Sequence, residues 1–159
     1  MAEGIELDIP GWRRLVLRQL VLDVNGVLAL DGELVPAVPE RIAALSPVLD
    51  VHLLSADTYG HLADIAAAVT AQATRLRPGD EAAQKAEFVR SLGAASVVAI
   101  GNGANDIAML EEAALGIAVL GFEGAAPATL LAGDIVAGSV HEALDLLLRP
   151  IRLVATLRR

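Results

Sequence analysis

Residues 20–32, "LVLDVNGVLALDG", set one aspartate inside an apolar run and follow it two residues later with an Asn-Gly pair. Asn-Gly between apolar runs is the strongest short-range signal for a two-residue hairpin, and on that reading Asp23 is an ordinary strand residue. The alternative takes Leu20 to Val24 as a buried parallel strand whose carboxyl end presents Asp23 to a ligand, with Gly26 letting the backbone come close. The two readings make different demands on the rest of the chain.

Elsewhere, short apolar runs recur at 51–54, 97–100, 117–120 and, weakly, 135–136. Between them lie segments read as helical at 39–45, 59–73, 81–92, 106–114, 127–131 and 141–148, several with apolar residues at helical spacing. This alternation predicts an α/β protein, a three-layer Rossmann-like parallel sheet with helices on both faces. Ahead of it, "IELDIPGWRRLVLRQL" (5–20) has two alternating runs around Pro10-Gly11, which predicts an N-terminal β-hairpin within residues 1–18. The closing "RPIRLVATLRR" (149–159) reads as a terminal helix with its positive charge at the negative end of the dipole.

Composition narrows the function classes. A length of 159 residues suits one domain, 1–159. Twenty acidic against 12 basic side chains give a net charge of -8, which argues against a general binder of nucleic acid or anionic membranes. With no cysteine, disulfides and thiolate metal sites are excluded, and a reducing, cytoplasmic setting is expected. The first residues lack the basic-then-apolar order of a signal peptide, and the nearly uncharged stretch 113–133 is broken by Glu123, Pro127 and several glycines, against a membrane span.

In an open parallel sheet, ligands gather beyond the carboxyl ends of the strands. There the sequence places Asp23, then Ser55 in "VHLLSADT" (51–58), then Gly101, Asn102, Gly103, Asn105 and Asp106 in "GNGANDIAML" (101–110), a loop entering a helix. Backbone N–H groups and a carboxylate on such a loop suit a phosphate and a hard cation, which takes oxygen ligands. Of the 12 basic residues 11 are arginine. The exception, Lys85 in "DEAAQKAEFVR" (80–90), marks either a place where a compact ammonium is required or one residue that escaped the compositional bias.

Taken together, these stretches resemble, in order and spacing and over most of the chain, the motifs of the haloacid dehalogenase-like superfamily of phosphatases and phosphotransferases. "LDVNG" (22–26) is similar to the nucleophile motif, Ser55 to the second, Lys85 to the third and "GNGAND" (101–106) to the fourth. "GNGANDIAML" and "LLSADT" look most like the phosphorylation domain of P-type ATPases and the small soluble proteins related to it, and "DVNGVLALDG" resembles the capless sugar-phosphate phosphatases. The resemblance implies that Asp23 is a nucleophile forming an aspartyl-phosphate, with Ser55, Ala56, Lys85 and Asn105 around the phosphoryl group. It also implies Mg²⁺ held by Asp23, the main-chain carbonyl of Asn25, Asn102 and Asp106. Asn105 either hydrogen-bonds Lys85 or the metal shell, or caps the loop; Asp57 either matches an aspartate of the ATPases or is an N-cap.

Two positions depart from the family pattern. Asn25 stands where the phosphatases carry an aspartate that protonates the leaving oxygen and then activates water, and an amide does neither. Loss of such assistance costs about 10²- to 10⁴-fold, so unactivated esters are expected to react slowly. Asn102 stands where an acidic metal ligand is usual, which weakens Mg²⁺ binding by one charge. Lone histidines in a strand (His52) or in helices (His61, His141) are read as surface or satisfied core residues.

Asp23 and Ser55 are 32 residues apart and Ser55 and Lys85 are 30, too close for a cap domain. Residues 27–35 have room for a flap turning at Asp31-Gly32. A capless site is open to water unless a large substrate or a second copy of the chain covers it, so a homo-oligomer is one expectation. The reading is a Mg²⁺-dependent phosphohydrolase or phosphotransferase for a small phosphorylated substrate. The alternative is a catalytically weak or inactive phosphate- or metal-binding or assembly module.

Overall fold

The computed structural model describes residues 2–56 and 60–159. The chain opens with an antiparallel hairpin, β1 (Ile5–Asp8) and β2 (Arg14–Leu17), and runs into β3 (Gln19–Asp23). A second, shorter hairpin follows, β4 (Ala29–Leu30) and β5 (Glu33–Leu34), and then α1 (Val38–Leu45), β6 (Asp50–Ser55), α2 (Leu62–Val69) and β7 (Gln72–Arg75). The remainder is α3 (Glu81–Ser91), β8 (Val97–Gly101), α4 (Ile107–Glu112), β9 (Leu115–Val119), α5 (Pro127–Ala132), β10 (Ile135–Ala137), α6 (Val140–Leu148) and α7 (Ile151–Leu157).

Six strands make one sheet in the order β10-β9-β8-β3-β6-β7, every neighbouring pair parallel. The strand reading of residues 20–24 is therefore the right one, because β3 pairs in parallel with β6 on one side and β8 on the other. The Asn-Gly pair does not close a hairpin onto β3. Instead the Val24 carbonyl accepts the N–H groups of Val27, Leu28 and Ala29 at 3.3, 2.9 and 3.0 Å, a tight turn for which Gly26 adopts φ +79°. The hairpin signal that does form one is Asp31-Gly32, with φ +53° and +84° between β4 and β5, inside the span expected to be a flap.

Alternation along β3 sorts the sheet's two faces. Leu20 and Leu22 lie in the larger core with Leu53, Ile100 and Ile117, against α1, α2, α6 and α7 through residues such as Ile42, Ile65, Leu144 and Leu153. Val21 points the other way, into a smaller core with Leu54, Ala99 and Ala118 against Val89 of α3 and Met109 and Leu110 of α4. The N-terminal hairpin adds Leu7, Leu15 and Leu17 to the larger core. The Arg159 N–H donates to the Pro10 carbonyl at the hairpin tip, so the last arginine packs against that turn.

One expectation fails. Residues 59–73 were expected as a single helix; α2 ends at Val69, Thr70 takes a left-handed φ of +54°, and residues 72–75 form the edge strand β7. An edge strand bonds to one neighbour and exposes its side chains, so β7 carries no apolar run to betray it. Tyr59, the start of that expected helix, and Asp57 lie outside the described residues. No helix among the described residues is long and apolar enough to cross a membrane.

Packing between β9 and α4 is close enough to require glycine. A Cβ added at Gly116 would lie 2.6 Å from the Leu110 carbonyl oxygen, a backbone atom with nowhere to go. Gly116→Ala is expected to lower the unfolding free energy by about 1–3 kcal/mol with an unchanged urea m-value. An unaltered midpoint would contradict this packing.

Candidate active site

β3 ends on Asp23, at the point where the sheet changes direction between β3 and β8. Asp23 has the parity of Val21, so it faces the α3–α4 side. On that side α3 buries Lys85, Ala86 and Val89, and Lys85 lies one turn before Val89 on the same face. Its ammonium reaches beyond the sheet's end, donating to Asp23 Oδ1 at 3.2 Å and to Asp106 Oδ1 at 2.8 Å. Lys85 is only 2% exposed and Asp106 is fully buried, so one cation is shared by two carboxylates away from water.

Asp106 is held from its other side. Its Oδ2 accepts the backbone N–H groups of Asn102 and Gly103, both at 3.0 Å, closing the loop after β8 onto the start of α4. A Cβ at Gly101 would sit 2.6 Å from the Asp106 carboxyl carbon, so the carboxylate occupies space that only glycine leaves open. With both oxygens engaged, Asp106 lies behind Lys85 and off the wall of the cavity above Asp23. Asn105 does not bond Lys85; its amide donates to Glu81 Oε2 at 2.9 Å and ties the loop to the first turn of α3.

Above Asp23 opens a cavity of about 540 Å³. Asn25, Ala56, Lys85, Asn102 and Asn105 are on its wall with Asp23, so six of the eight expected site residues converge there. Ser55, at the end of β6, is buried beside it, and its hydroxyl accepts the Asn25 amide at 3.3 Å. Two charged wall residues were not anticipated, Glu81 and Glu123. Glu123 arrives from the loop after β9, whose only signal in sequence is a glutamate bracketed by glycines, Gly121 and Gly124.

The charges are unequally matched. Burial first, and the nearby Asp106 carboxylate second, push Asp23 up to about 7, with Lys85 opposing. Burial alone would lower the Lys85 ammonium, yet the two carboxylates outweigh it and hold it above its ordinary value. A carboxyl raised from 3.8 to about 7 takes up a proton on folding. Its stabilising contribution is complete below the lower value and is lost as pH rises through the higher one. In chelator-treated buffer, stability is expected to fall between about pH 4 and pH 7, and Asp23→Asn to flatten that fall, making the variant more stable at the higher pH by roughly 1–3 kcal/mol. Urea titrations giving the same pH dependence for both proteins would contradict this.

Comparison with known proteins agrees with this fold. A family model for haloacid dehalogenase-like hydrolases matches residues 81–142, the segment that carries Lys85 and the 101–106 loop. An uncharacterized protein of Methanocaldococcus jannaschii is 53% identical over 62 residues, 39% of this chain and 67% of that protein. Among solved structures, the cobalt-bound deoxy-D-mannose-octulosonate 8-phosphate phosphatase of Haemophilus influenzae superposes with a TM-score of 0.69 at 19% identity, covering 84% of this chain and 88% of that one. The 3-deoxy-D-manno-octulosonate 8-phosphate phosphatase of Moraxella catarrhalis, in complex with magnesium, phosphate and the sugar acid, gives 0.66 at 18% identity over 89% and 94%. The structural likeness is one of fold, and with the family match and the close archaeal relative it places the chain in the haloacid dehalogenase-like hydrolase family.

Proposed function

We infer that this protein is a divalent-cation-dependent phosphohydrolase that works through an aspartyl-phosphate on Asp23. The observation that carries the reading is the Asp23 carboxylate on the wall of the cavity, at the sheet's switch point, fixed by a buried lysine. A carboxylate nucleophile divides a difficult displacement into two easier ones. The two solved octulosonate 8-phosphate phosphatases with this fold are named for a small phosphorylated sugar acid, which supports a substrate of similar size here.

The residues have separable tasks in this reading. Asp23 attacks phosphorus. Lys85 fixes the nucleophile's orientation and offers positive charge to the phosphoryl oxygens, while Ala56 and Asn105 line the space those oxygens would fill and Ser55 lies buried beside it. Asn25 donates to Ser55 and so positions it; having no titratable proton, it leaves proton transfer to the leaving oxygen unassisted at that position.

Oxygen donors suit Mg²⁺, and Asp23, the Asn25 carbonyl and the Asn102 side-chain oxygen would hold it, with Asp106 acting through Lys85 and the Asn102–Gly103 backbone. Among the described residues no three His, Cys, Asp or Glu side chains are grouped to hold a metal. The site is therefore built for one charged ligand supplemented by neutral oxygens, which implies weak binding. When bound, the ion supplies Lewis-acid stabilisation of the phosphoryl charge.

Hydrolysis of acetyl phosphate, followed as released inorganic phosphate, tests the reading. Activity is expected to need added Mg²⁺, to vanish on chelation and to return when the ion is restored. Asp23→Asn is expected to lower it by at least about 10³-fold, since the nucleophile itself is removed. Turnover that persists in Asp23→Asn would contradict the reading, and a protein that hydrolyses no phosphate donor tried is the binding or assembly module instead.

A further inference from the structure

Asn25 leaves the proposed phosphatase without the carboxyl group that would serve the leaving oxygen, and one carboxylate stands unused beside the gap. Glu123 is the third residue of a turn closed by the Gly124 N–H donating to the Gly121 carbonyl at 2.9 Å. Both ends of that turn are seated on the site. Gly121 lies against the residue after Asn25, since a Cβ there would be 2.9 Å from the Gly26 carbonyl oxygen. At the other end, Gly124 offers its carbonyl to the Asn102 amide at 3.1 Å, and Ala126 N–H donates to the Asn102 carbonyl at 3.2 Å. A Cβ at Gly26 would meet Glu123 Oε2 at 2.5 Å, so the carboxylate rests on backbone one residue from Asn25.

Its surroundings also fit. Glu123 lines the cavity that contains Asp23 and a second one of about 430 Å³ that runs past Asn25 and Gly26 to Asp31, Gly32 and His61 by the β4–β5 hairpin. The two spaces meet at Asn25 and Glu123, as a phosphoryl site and its leaving-group side must. Asp23 and Asp106 are committed to Lys85 and Glu81 to Asn105, whereas Glu123 has no hydrogen bond or ion pair among the described residues. Nor, among the described residues, does it belong to a group of three or more acids or histidines able to hold a metal.

We propose that Glu123 is the general acid and base of the reaction, supplying from the loop after β9 the proton transfer that Asn25 cannot; this rests on the phosphatase reading above. In the first step the Asp23 oxygen bonds to phosphorus as the ester P–O bond breaks, and the Glu123 carboxyl gives its proton to the departing oxygen. In the second, the Glu123 carboxylate takes a proton from water as the water oxygen bonds to phosphorus and the Asp23–phosphorus bond breaks, releasing inorganic phosphate and restoring both carboxyl groups. Asn102 has a place in this arrangement, because an aspartate there has no N–H to hold the Gly124 carbonyl.

The test compares an alkyl phosphate, whose leaving oxygen needs a proton, with acetyl phosphate, whose leaving group does not. Glu123→Gln, on an exposed turn, is expected to lower kcat/KM for the alkyl phosphate about 10²-fold or more and for acetyl phosphate by less than about 10-fold, at an unchanged Mg²⁺ requirement. Asn25→Asp is expected to raise alkyl phosphate turnover more in the Glu123→Gln background than in the wild type, the coupling of two groups that serve one proton. Equal losses on both substrates, or a raised Mg²⁺ requirement with no change in leaving-group dependence, would overturn the assignment while leaving Asp23 in place. Absence of turnover in the wild type, or its survival in Asp23→Asn, would overturn the assignment together with the reading beneath it.

Discussion

The ammonium of Lys85 joins three parts of the chain that are distant in sequence: the end of β3 through Asp23, helix α3, and the loop after β8 through Asp106. It is 2% exposed, and each unpaired charge at such depth would cost several kcal/mol. The cation is therefore admissible only with its carboxylates, and Asp106 only with the cation and the two N–H groups it accepts. One lysine is shared between two acids, and Asp23, buried first of all and then repelled by Asp106, is the one whose proton affinity rises. Stability and function pull apart here. The arrangement that burdens the fold with a half-compensated carboxylate is the one that sets the proposed nucleophile on the wall of a cavity.

The two asparagines acquire a common logic in this geometry. Asn25 holds the Ser55 hydroxyl, and Asn102 holds the Gly124 carbonyl, each through an amide N–H that an aspartate lacks. Exchanging carboxylates for amides reduces the negative charge around a site that already contains Asp23, Glu81 and Glu123 against Lys85 alone. It also trades charged contacts to a cation for fixed loops. The chain reads less as a phosphatase stripped of parts than as one whose proton-transfer group has moved to another loop.

Much of this was legible from residue order because burial in a parallel sheet writes itself as apolar runs. β3, β6 and β8 could be located that way, and the polar residues ending them had to meet at one edge. Lys85 stood out because every other basic residue is arginine. The edge strand β7 was illegible, since its exposed side chains carry no period and its neighbour supplies the pairing. The partners of Asn105 and Asp106 were equally hidden, as a hydrogen bond between a loop and a helix twenty-odd residues earlier leaves no local trace. Glu123 entered the sequence reading only as a charge interrupting the stretch 113–133, and its place beside Gly26 depends on how β9 enters the sheet.

The central claim is that the carboxylate paired with Lys85 becomes covalently phosphorylated. Acid-quenching the protein after brief exposure to radiolabelled acetyl phosphate and Mg²⁺, followed by peptide mapping, addresses it without relying on steady-state turnover. The account predicts a base-labile acyl phosphate on the peptide containing Asp23, absent from Asp23→Asn. Label on any other residue, or none under conditions in which phosphate is released, would contradict it.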